Sequence, residues 1–486
     1  MSTSIVKCRT QAQITPLGVD CETPMFSWQM AASRTGAKQS AYRIIVSKDK
    51  TMTPIIWDSN IVKSYIQHTA LTADCARLEP STRYYWKVFV WDEENMMHES
   101  EVTWFETGLM GKDASVWNNA QWIGSPKQTT NTACLYSYQM NVDFKTDIGN
   151  KAGIVLSARN KDNYVLFDVD MDNRTLMIYE YCDNAWDGST KEGHIPTVTI
   201  LGSKVGYIIS KDAVSEGLEH DWNTISITVD NRDLSVSINN VTVIQKEADL
   251  MPNAGFFVPR RGCLFSIGFK QLGSTAYYDN LVISDPKTNT VFQNESFSDE
   301  SGIFSVLGSC KDGILTVKNQ FELACPVPAI NLLGTFHANP SKKIASARLY
   351  ATARGSYRVK VNGIDADGSF FAPGFTDYRL RIFYQTYDVT NLLHEGENQL
   401  LATVGKGYYN GYCGYSGPMK YGEQNSFMGR MIVTYTDGSN DELVTDNSWL
   451  FTDKGAVVDS DYLDGENYDA RLFPNDLSHI DNSDKR

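Results

Sequence analysis

Apolar and polar residues alternate along most of this chain, in short runs that are separated by turn residues. Alternating runs include Tyr84–Val90, Tyr164–Val169 and Tyr357–Val361, and such a two-residue period is typical of a β-strand with one buried face. No window shows the sustained 3.6-residue apolar period that an amphipathic helix bundle needs. The pattern therefore predicts an all-β protein.

Residues 1–112 have the pattern of a small β-sandwich, with predicted strands at Met25–Met30, Ala41–Ser47, Tyr84–Trp91 and Val102–Thr107. The string Leu78-x-Pro80-x-Thr82-x-Tyr84 resembles the fibronectin type III signature, in which the tyrosine folds back to bond the chain just upstream. We therefore predict a fibronectin type III-like sandwich here. Modules of this kind usually serve as spacers.

A second sandwich is predicted to begin within residues 113–130, at Trp122-Ile-Gly124, and to be interrupted at once. Its pattern resumes over residues 322–474, which include the hairpin signal Asn362-Gly363. Residues 131–321 form a separate β-rich block, whose short strands and Asn, Asp and Gly connections predict a two-sheet jelly roll of the laminin-G or concanavalin kind. Such an insertion is tolerated where its two ends meet at a surface turn. The polar composition of residues 475–486 predicts a tail without regular structure.

Composition and charge narrow the choice of partners. The 486 residues carry a formal charge of −14, and no stripe of Lys and Arg is available to neutralise phosphates, so we expect no nucleic-acid partner. The nine cysteines stand singly, which favours reduced core thiols over a disulfide framework or zinc site. No apolar stretch approaches 18 residues, so we expect no membrane partner. Without a signal-peptide pattern the default location is cytoplasmic, or periplasmic or secreted if a leader has been removed.

Several strings, in order along residues 20–125 and 345–471, resemble the N-terminal region of bacterial α-L-rhamnosidases, glycoside hydrolase family 78. They are Pro24-Met-Phe-Ser-Trp28, Gln39-Ser-Ala-Tyr42, Ile56-Trp57-Asp58-Ser59, Thr82-Arg-Tyr-Tyr-Trp86, Trp104-Phe-Glu-Thr-Gly108, Gln121-Trp-Ile-Gly124, Ala372-Pro-Gly374-Phe-Thr-Asp377-Tyr378-Arg, Tyr384-Gln-Thr-Tyr-Asp-Val389, Gly405-Lys-Gly407-Tyr408-Tyr409-Asn-Gly411 and Asp464-Gly465-Glu466-Asn-Tyr468-Asp469-Ala-Arg471. The resemblance implies that residues 113–130 and 322–474 form the rhamnosidase N-terminal β-sandwich. It also implies an inverting acid and base pair on a helical barrel that follows these domains. No such module is recognisable here, so we nominate no catalytic residue.

Two further features have competing interpretations. An acidic cluster near the end of the chain is better explained as a solvated connection between strands than as part of the rim of a catalytic cleft. It consists of Asp459, Asp461, Asp464, Glu466 and Asp469. A glycine-rich loop holds Tyr408, Tyr409, Tyr412 and Tyr415. We predict that these tyrosines belong to a turn that packs against a neighbouring module, and the alternative is that they form a saccharide-binding face.

The middle block contains the candidate sugar site. Asp162 and Asn163 precede a predicted strand, and the block resembles carbohydrate-binding module family 67, in which an Asp-Asn pair helps to hold calcium and L-rhamnose. The resemblance therefore makes Asp162 and Asn163 candidate calcium and sugar ligands, and such oxygen ligands suit calcium. Trp186, in a loop after a strand, offers a flat apolar face to a sugar. Alternatively, this tryptophan plugs the edge of the sandwich.

Three hypotheses remain open on the sequence alone. The first is the non-catalytic front region of an α-L-rhamnosidase, with a rhamnose-containing poly- or oligosaccharide as partner and a C-terminal helical catalytic module if the natural chain is longer. The second is a stand-alone lectin-like protein. The third is a structural scaffold whose insertion binds no sugar.

Overall fold

The structure is a computed structural model, and it confirms the all-β prediction. It describes residues 3–72, 77–111, 113–124, 135, 137–147, 150–160, 163–182, 197–214, 221–248, 250, 266–271, 273–297, 310–318, 321–323, 329–413, 420–422, 424–453, 455–463, 465–468 and 470. Within these ranges there are thirty-five strands and one α-helix of four residues. No helix in the same ranges is long and apolar enough to cross a membrane.

The front unit is a sandwich of two antiparallel sheets, one of order β1-β2-β5 and one of order β4-β3-β6-β7 with β8 added on β6. Its strands are β1 (Thr3–Thr10), β2 (Met25–Ala32), β3 (Gln39–Ser47), β4 (Ile55–Asp58), β5 (His68–Ala70), β6 (Arg83–Asp92), β7 (Met97–Glu99) and β8 (Thr103–Glu106). Phe26, Trp28 and Trp86 are fully buried between the sheets. Alternation along β6 puts every second side chain into this core.

The predicted tyrosine corner is present in the front unit. Tyr84 is buried, and its hydroxyl oxygen accepts a hydrogen bond from the backbone N–H of Glu79 at 2.8 Å. This bond fixes the chain where it enters β6, so the sequence motif and the local geometry agree.

A 3-10 turn at Ala114–Trp117 and the short strand β9 (Ile123–Gly124) lead to the middle block. Its strands form two antiparallel sheets, of orders β18-β17-β16-β10-β20-β23-β22 and β14-β13-β12-β11-β19-β24, with β21 paired to β20 and β15 to β13. They are β10 (Ser137–Thr146), β11 (Lys151–Asn160), β12 (Asn163–Asp170), β13 (Thr175–Cys182), β14 (Thr197–Ile200), β15 (Tyr207–Ile208), β16 (Asn223–Asp230), β17 (Asp233–Ile238), β18 (Val241–Glu247), β19 (Ser266–Lys270), β20 (Thr275–Ser284), β21 (Val291–Glu295), β22 (Cys310–Lys311), β23 (Ile314–Lys318) and β24 (Phe321–Leu323). Both sheets supply one shared core that includes Phe144, Phe167, Ile227, Phe269 and Tyr278.

The rear unit is a second sandwich, with sheets of orders β28-β27-β30-β25-β33 and β29-β26-β31-β32, and a separate hairpin β34-β35. Its strands are β25 (Ile330–Ala338), β26 (Ile344–Arg354), β27 (Ser356–Val361), β28 (Ile364–Asp365), β29 (Gln385–Asp388), β30 (Gly396–Gly405), β31 (Ser426–Tyr435), β32 (Asn440–Val444), β33 (Leu450–Thr452), β34 (Val457–Asp461) and β35 (Gly465–Tyr468), with a 3-10 turn at Thr390–Leu392 and the helix α1 (Gly407–Asn410). Asn362 and Gly363 join β27 to β28 with positive φ of 50° and 80°. A two-residue hairpin turn requires such angles, so this predicted turn is confirmed.

The middle block interrupts the rear unit. β9 pairs with β31, where Gly124 faces Ser426, and the rear unit resumes at Ile330 of β25. Phe321–Leu323 pair with β19, so the boundary predicted at residue 322 falls within a strand of the middle block. That pairing joins residues more than fifty positions apart, which a local alternation pattern does not indicate.

The two ends of the insertion lie close together. A side chain added at Gly124 would meet the backbone of Asn425, and the Asn425 amide donates to the carbonyl of Val404 at 3.2 Å. Val404 in turn pairs with Ile330, the first residue of the resumed rear unit. The chain therefore leaves and re-enters the rear sandwich at one place.

Candidate functional site

The predicted sugar-site residues fall at or beyond the limits of the described residues. Asp162 and Trp186 lie outside them. Asn163 is the first residue of β12, and its backbone faces Asn160 at the end of β11; its side chain is outside the described set. The binding roles of Asp162, Asn163 and Trp186, including the calcium role of the first two, remain predictions. Among the described residues, no group of three His, Cys, Asp or Glu side chains could hold a metal ion.

An aromatic pair follows directly on Asn163. Tyr164 of β12 faces Tyr181 of β13, and their rings stack with centroids 4.4 Å apart and planes inclined by 14°. The Lys270 ammonium of β19 lies 4.8 Å from the Tyr164 ring centroid and 4.4 Å from that of Tyr181, and it donates a hydrogen bond to the Tyr164 hydroxyl. This Tyr164–Tyr181–Lys270 cluster combines two apolar ring faces, a hydroxyl acceptor and a cation.

Alternation along the strands decides which face carries the cluster. Val165 and Phe167 point into the core between the two sheets, so Tyr164 and Leu166 point to the opposite, outer face. There they pack on Val155, which is fully buried. The outer face of this sheet is therefore apolar at the end where Asn163 begins β12.

The same outer face becomes charged further along β12. Asp168 lies four residues beyond Tyr164, which in an extended strand is about 13 Å away. The Lys151 ammonium lies 3.1 Å from the Asp170 carboxylate and 3.7 Å from that of Asp168. Burial raises the pKa of the Asp168 carboxyl despite this neighbouring ammonium. These charged groups therefore lie at the other end of the strand pair from the Tyr164–Tyr181–Lys270 cluster.

Sequence reasoning missed Tyr164, Tyr181 and Lys270. Tyr164 stands next to the predicted Asp-Asn pair and Tyr181 stands five residues before Trp186, so proximity in sequence was an available signal for both. No sequence signal indicated Lys270, because this residue reaches the cluster only through the pairing of β11 with β19.

The acidic cluster of the rear unit has a local structural role. The Asp461 carboxylate accepts hydrogen bonds from the backbone N–H of Tyr412 at 2.8 Å and of Leu463 at 2.9 Å. These bonds hold the glycine-rich loop against the turn that follows β34. Asp464 and Asp469, and the side chain of Asp459, lie outside the described residues.

A second candidate is an aromatic surface on the rear unit, formed by the loop between β28 and β29, the helix α1 with the loop after it, and the β34-β35 hairpin. We use the name aromatic surface for the eight rings of Phe370, Phe371, Phe375, Tyr378, Tyr408, Tyr409, Tyr421 and Tyr462. Ring contacts connect all eight into one cluster that branches at Tyr378, with centroids of contacting rings 4.4 to 6.5 Å apart. Tyr412 is buried nearby, and Tyr415 lies outside the described residues.

Comparison with known families identifies both sandwiches. Residues 342–486 match the α-L-rhamnosidase N-terminal domain, and residues 5–111 match the Rha78A-like N-terminal immunoglobulin domain. An α-L-rhamnosidase of Streptomyces avermitilis is 32% identical over 465 residues, which are 94% of this chain and 41% of that protein. One of Formosa agariphila is 37% identical over 133 residues, 27% of this chain and 14% of that protein.

Solved structures share the fold at lower identity. The crystal structure of Streptomyces avermitilis α-L-rhamnosidase complexed with L-rhamnose is similar over 97% of this chain and 43% of its own, with a TM-score of 0.55 and 24% identity. The α-L-rhamnosidase of Dictyoglumus thermophilum is similar over 98% of this chain and 32% of its own, with a TM-score of 0.52 and 19% identity. This chain thus spans less than half the length of these relatives. Because both of its sandwiches match N-terminal rhamnosidase domains and a relative aligns across the block between them, the chain belongs to the α-L-rhamnosidase family, of which it holds the N-terminal region.

Proposed function

We propose that this chain is the non-catalytic front region of an α-L-rhamnosidase-like glycoside hydrolase, and that its middle block binds L-rhamnose-containing glycans. The observation that carries the binding proposal is the Tyr164–Tyr181–Lys270 cluster. It lies on the outer face of a sheet, directly beside the position predicted from Asp162 and Asn163. A relative that matches 94% of the chain is named an α-L-rhamnosidase.

The chemistry of the proposed site divides between two groups of residues. Asp162 and Asn163 supply the carboxylate and amide oxygens that calcium prefers, and vicinal sugar hydroxyls complete the ion's oxygen shell. The Tyr181 ring, which is only partly buried, presents an apolar face to the C–H groups or the methyl group of a deoxy sugar. Trp186 is proposed as a second such face. Calcium then fixes the orientation of the sugar, and the rings contribute apolar contact.

Removing the proposed calcium ligand should remove the binding. We expect Asp162→Ala to weaken binding of L-rhamnose in the presence of calcium by at least tenfold, because a hard cation loses its charged ligand. Isothermal titration of the chain with L-rhamnose, with calcium and again with a chelator, measures this. Asp212→Ala is the matched control, since Asp212 is exposed and follows β15, which pairs with the opposite end of β13 from Tyr181. Unchanged binding by Asp162→Ala would place the site elsewhere.

We also expect residues 1–486 alone to release no rhamnose from p-nitrophenyl α-L-rhamnoside. Inverting hydrolysis requires two carboxyl groups about 6.5–9.5 Å apart, one on each side of the glycosidic bond. In the acidic cluster, the carboxylate of Asp461 instead accepts hydrogen bonds from two backbone N–H groups. Release of p-nitrophenol is followed against a heat-inactivated sample. Turnover above that sample would show that the catalytic groups lie within this chain.

Two alternatives make different predictions. A stand-alone lectin-like protein binds rhamnose but has no helical module encoded downstream of residue 486, which sequencing of the natural gene decides. A scaffold shows no calcium-dependent retention on immobilised rhamnose. Contact between the front and rear sandwiches favours a scaffolding role in addition to binding, since Arg348 of the rear unit and Glu106 of the front unit form a buried ion pair.

A further inference from the structure

The aromatic surface of the rear unit is strongly exposed to solvent, although its side chains are largely apolar. The exposed fractions of Phe370, Phe371 and Phe375 are 66%, 61% and 53%, and that of the neighbouring Leu380 is 86%. Soluble proteins rarely expose a large contiguous apolar area unless it binds something. Single exposed apolar residues are common, but the three phenylalanines belong to one cluster of rings in contact.

The surface is also held in a fixed arrangement. Tyr408 lies between Phe375, at a ring distance of 4.9 Å, and Tyr462, at 4.4 Å. These three rings come from three separate stretches of chain. The Tyr378 hydroxyl donates to the Gly374 carbonyl at 3.1 Å, and Asp461 ties the glycine-rich loop to the hairpin. A surface already in its bound geometry loses little conformational entropy on association.

Ring orientation and composition favour a protein partner over a glycan. Phe371 meets Tyr462 at an interplanar angle of 67°, and Phe375 meets Tyr408 at 62°. The rings therefore pack edge to face and do not form the coplanar row on which a saccharide chain lies. The most exposed members are the three phenylalanines, which offer no hydrogen bonds to hydroxyl groups. Clustered aromatic side chains are typical of the centres of protein interfaces.

The position of the surface indicates which polypeptide covers it. All of its residues lie within the part of the chain that matches the rhamnosidase N-terminal domain, and the last two described strands, β34 and β35, form one of its sides. The Streptomyces avermitilis relative matches 94% of this chain with 41% of its own length. A chain of that length has a large remaining part to place against its N-terminal region.

We propose that the aromatic surface is the docking face for the polypeptide that follows residue 486 in a chain of rhamnosidase length. This inference rests on the enzyme half of the proposed function and does not depend on sugar binding by the middle block. A second copy of this chain is a less suitable occupant, because two chains of net charge −14 repel each other. The second copy and a glycan are therefore alternative outcomes of the test.

The test compares residues 1–486 with the full product of the natural gene by hydrogen–deuterium exchange. Backbone amides of residues 366–383 and 457–468 should exchange at least tenfold more slowly in the full product. The variant Phe371→Asn/Leu380→Ser should abolish that difference while leaving the melting temperature of residues 1–486 unchanged. Asparagine suits position 371, because its φ is 62°. Val205→Ser/Ile208→Ser removes two strongly exposed apolar side chains from the middle block and should leave the protection intact.

Several results would overturn the proposal. Equal exchange in the two proteins would show that the polypeptide after residue 486 does not cover the aromatic surface. A reading frame that stops at residue 486 would show that no such polypeptide is encoded. A dimer of residues 1–486 in sedimentation that Phe371→Asn/Leu380→Ser dissociates assigns the surface to a second copy. Retention on rhamnogalacturonan that the same variant abolishes assigns it to a glycan. A full product that is protected at this surface but cleaves no α-L-rhamnoside refutes the proposed enzyme function and leaves the docking face standing.

Discussion

Replacing Arg348 by methionine is expected to lower the free energy of unfolding by about 3 kcal/mol, because it leaves a buried carboxylate without its main partner. Arg348 Nε lies 2.5 Å from Glu106 Oε1, and Nη2 lies 3.1 Å from Oε2. Both residues are less than a tenth exposed. Arg83, at 3.0 Å from Glu106, remains but is one-third exposed, so it compensates only in part.

This ion pair joins the front sandwich to the rear one, and other contacts surround it. The Tyr384 hydroxyl donates to Asp20 at 2.5 Å and accepts from the backbone N–H of Leu109 at 2.7 Å. Burial, together with the Asp20 carboxylate, raises the pKa of Tyr384 well above its usual value. A small apolar cluster beside it includes Leu109, Trp117 and Tyr350. Loss of Arg348 should therefore loosen the whole interface.

Urea unfolding followed by tryptophan fluorescence measures the effect. Arg358→Met is the control, since Arg358 pairs with Asp365 at 2.9 Å on the surface and such pairs contribute about 0–1 kcal/mol. The double variant Arg348→Met/Glu106→Leu should recover most of the loss, because it removes the uncompensated charge as well. An Arg348→Met loss no larger than that of Arg358→Met, or a double variant worse than the single one, would contradict this account.

The features that the sequence predicted correctly are local ones. The turn at Asn362-Gly363 follows from two residues that accept positive φ, and the Tyr84 corner follows from a motif seven residues long. The alternation of residues along β6 likewise predicted which face of that strand is buried, because neighbouring side chains of a strand point to opposite faces. In each case the determining residues are neighbours in the chain, so the physics that decides the structure is visible in a short window.

The features that were missed depend on residues far apart in sequence. Glu106 and Arg348 are 242 residues apart, and nothing in either segment indicates the other. The aromatic surface combines three separate segments, and the sequence predicted packing against a neighbouring module only for the one with Tyr408 and Tyr409. Lys270 reaches Tyr164 through strand pairing alone. Such sites exist only once the tertiary structure brings their parts together.

The middle block, cut out as residues 125–328, is expected to fold by itself and to carry the whole response to calcium and rhamnose. Its core is drawn from residues between Tyr138 and Val317, whereas that of the rear unit begins at Ile330. About 200 residues are ample for one independent core. The fragment runs past residue 321 so that β24 keeps its pairing with β19. Its melting temperature should rise with calcium and L-rhamnose together.

The melting temperature rises because a ligand that binds only the folded state raises the free energy of unfolding. The increase is about 2.7 kcal/mol at a hundredfold excess of ligand over Kd. The matched control is the host, with Gly124 joined to Ile330 by a short Gly/Ser linker. Because Gly124 contacts Asn425 and Asn425 bonds Val404 beside Ile330, the linker spans a short gap and closing it costs little entropy. Calorimetry of both proteins, with ligands and with a chelator, measures the response. An unfolded fragment, or a response that stays with the joined host, would mean that the two units fold as one interleaved domain.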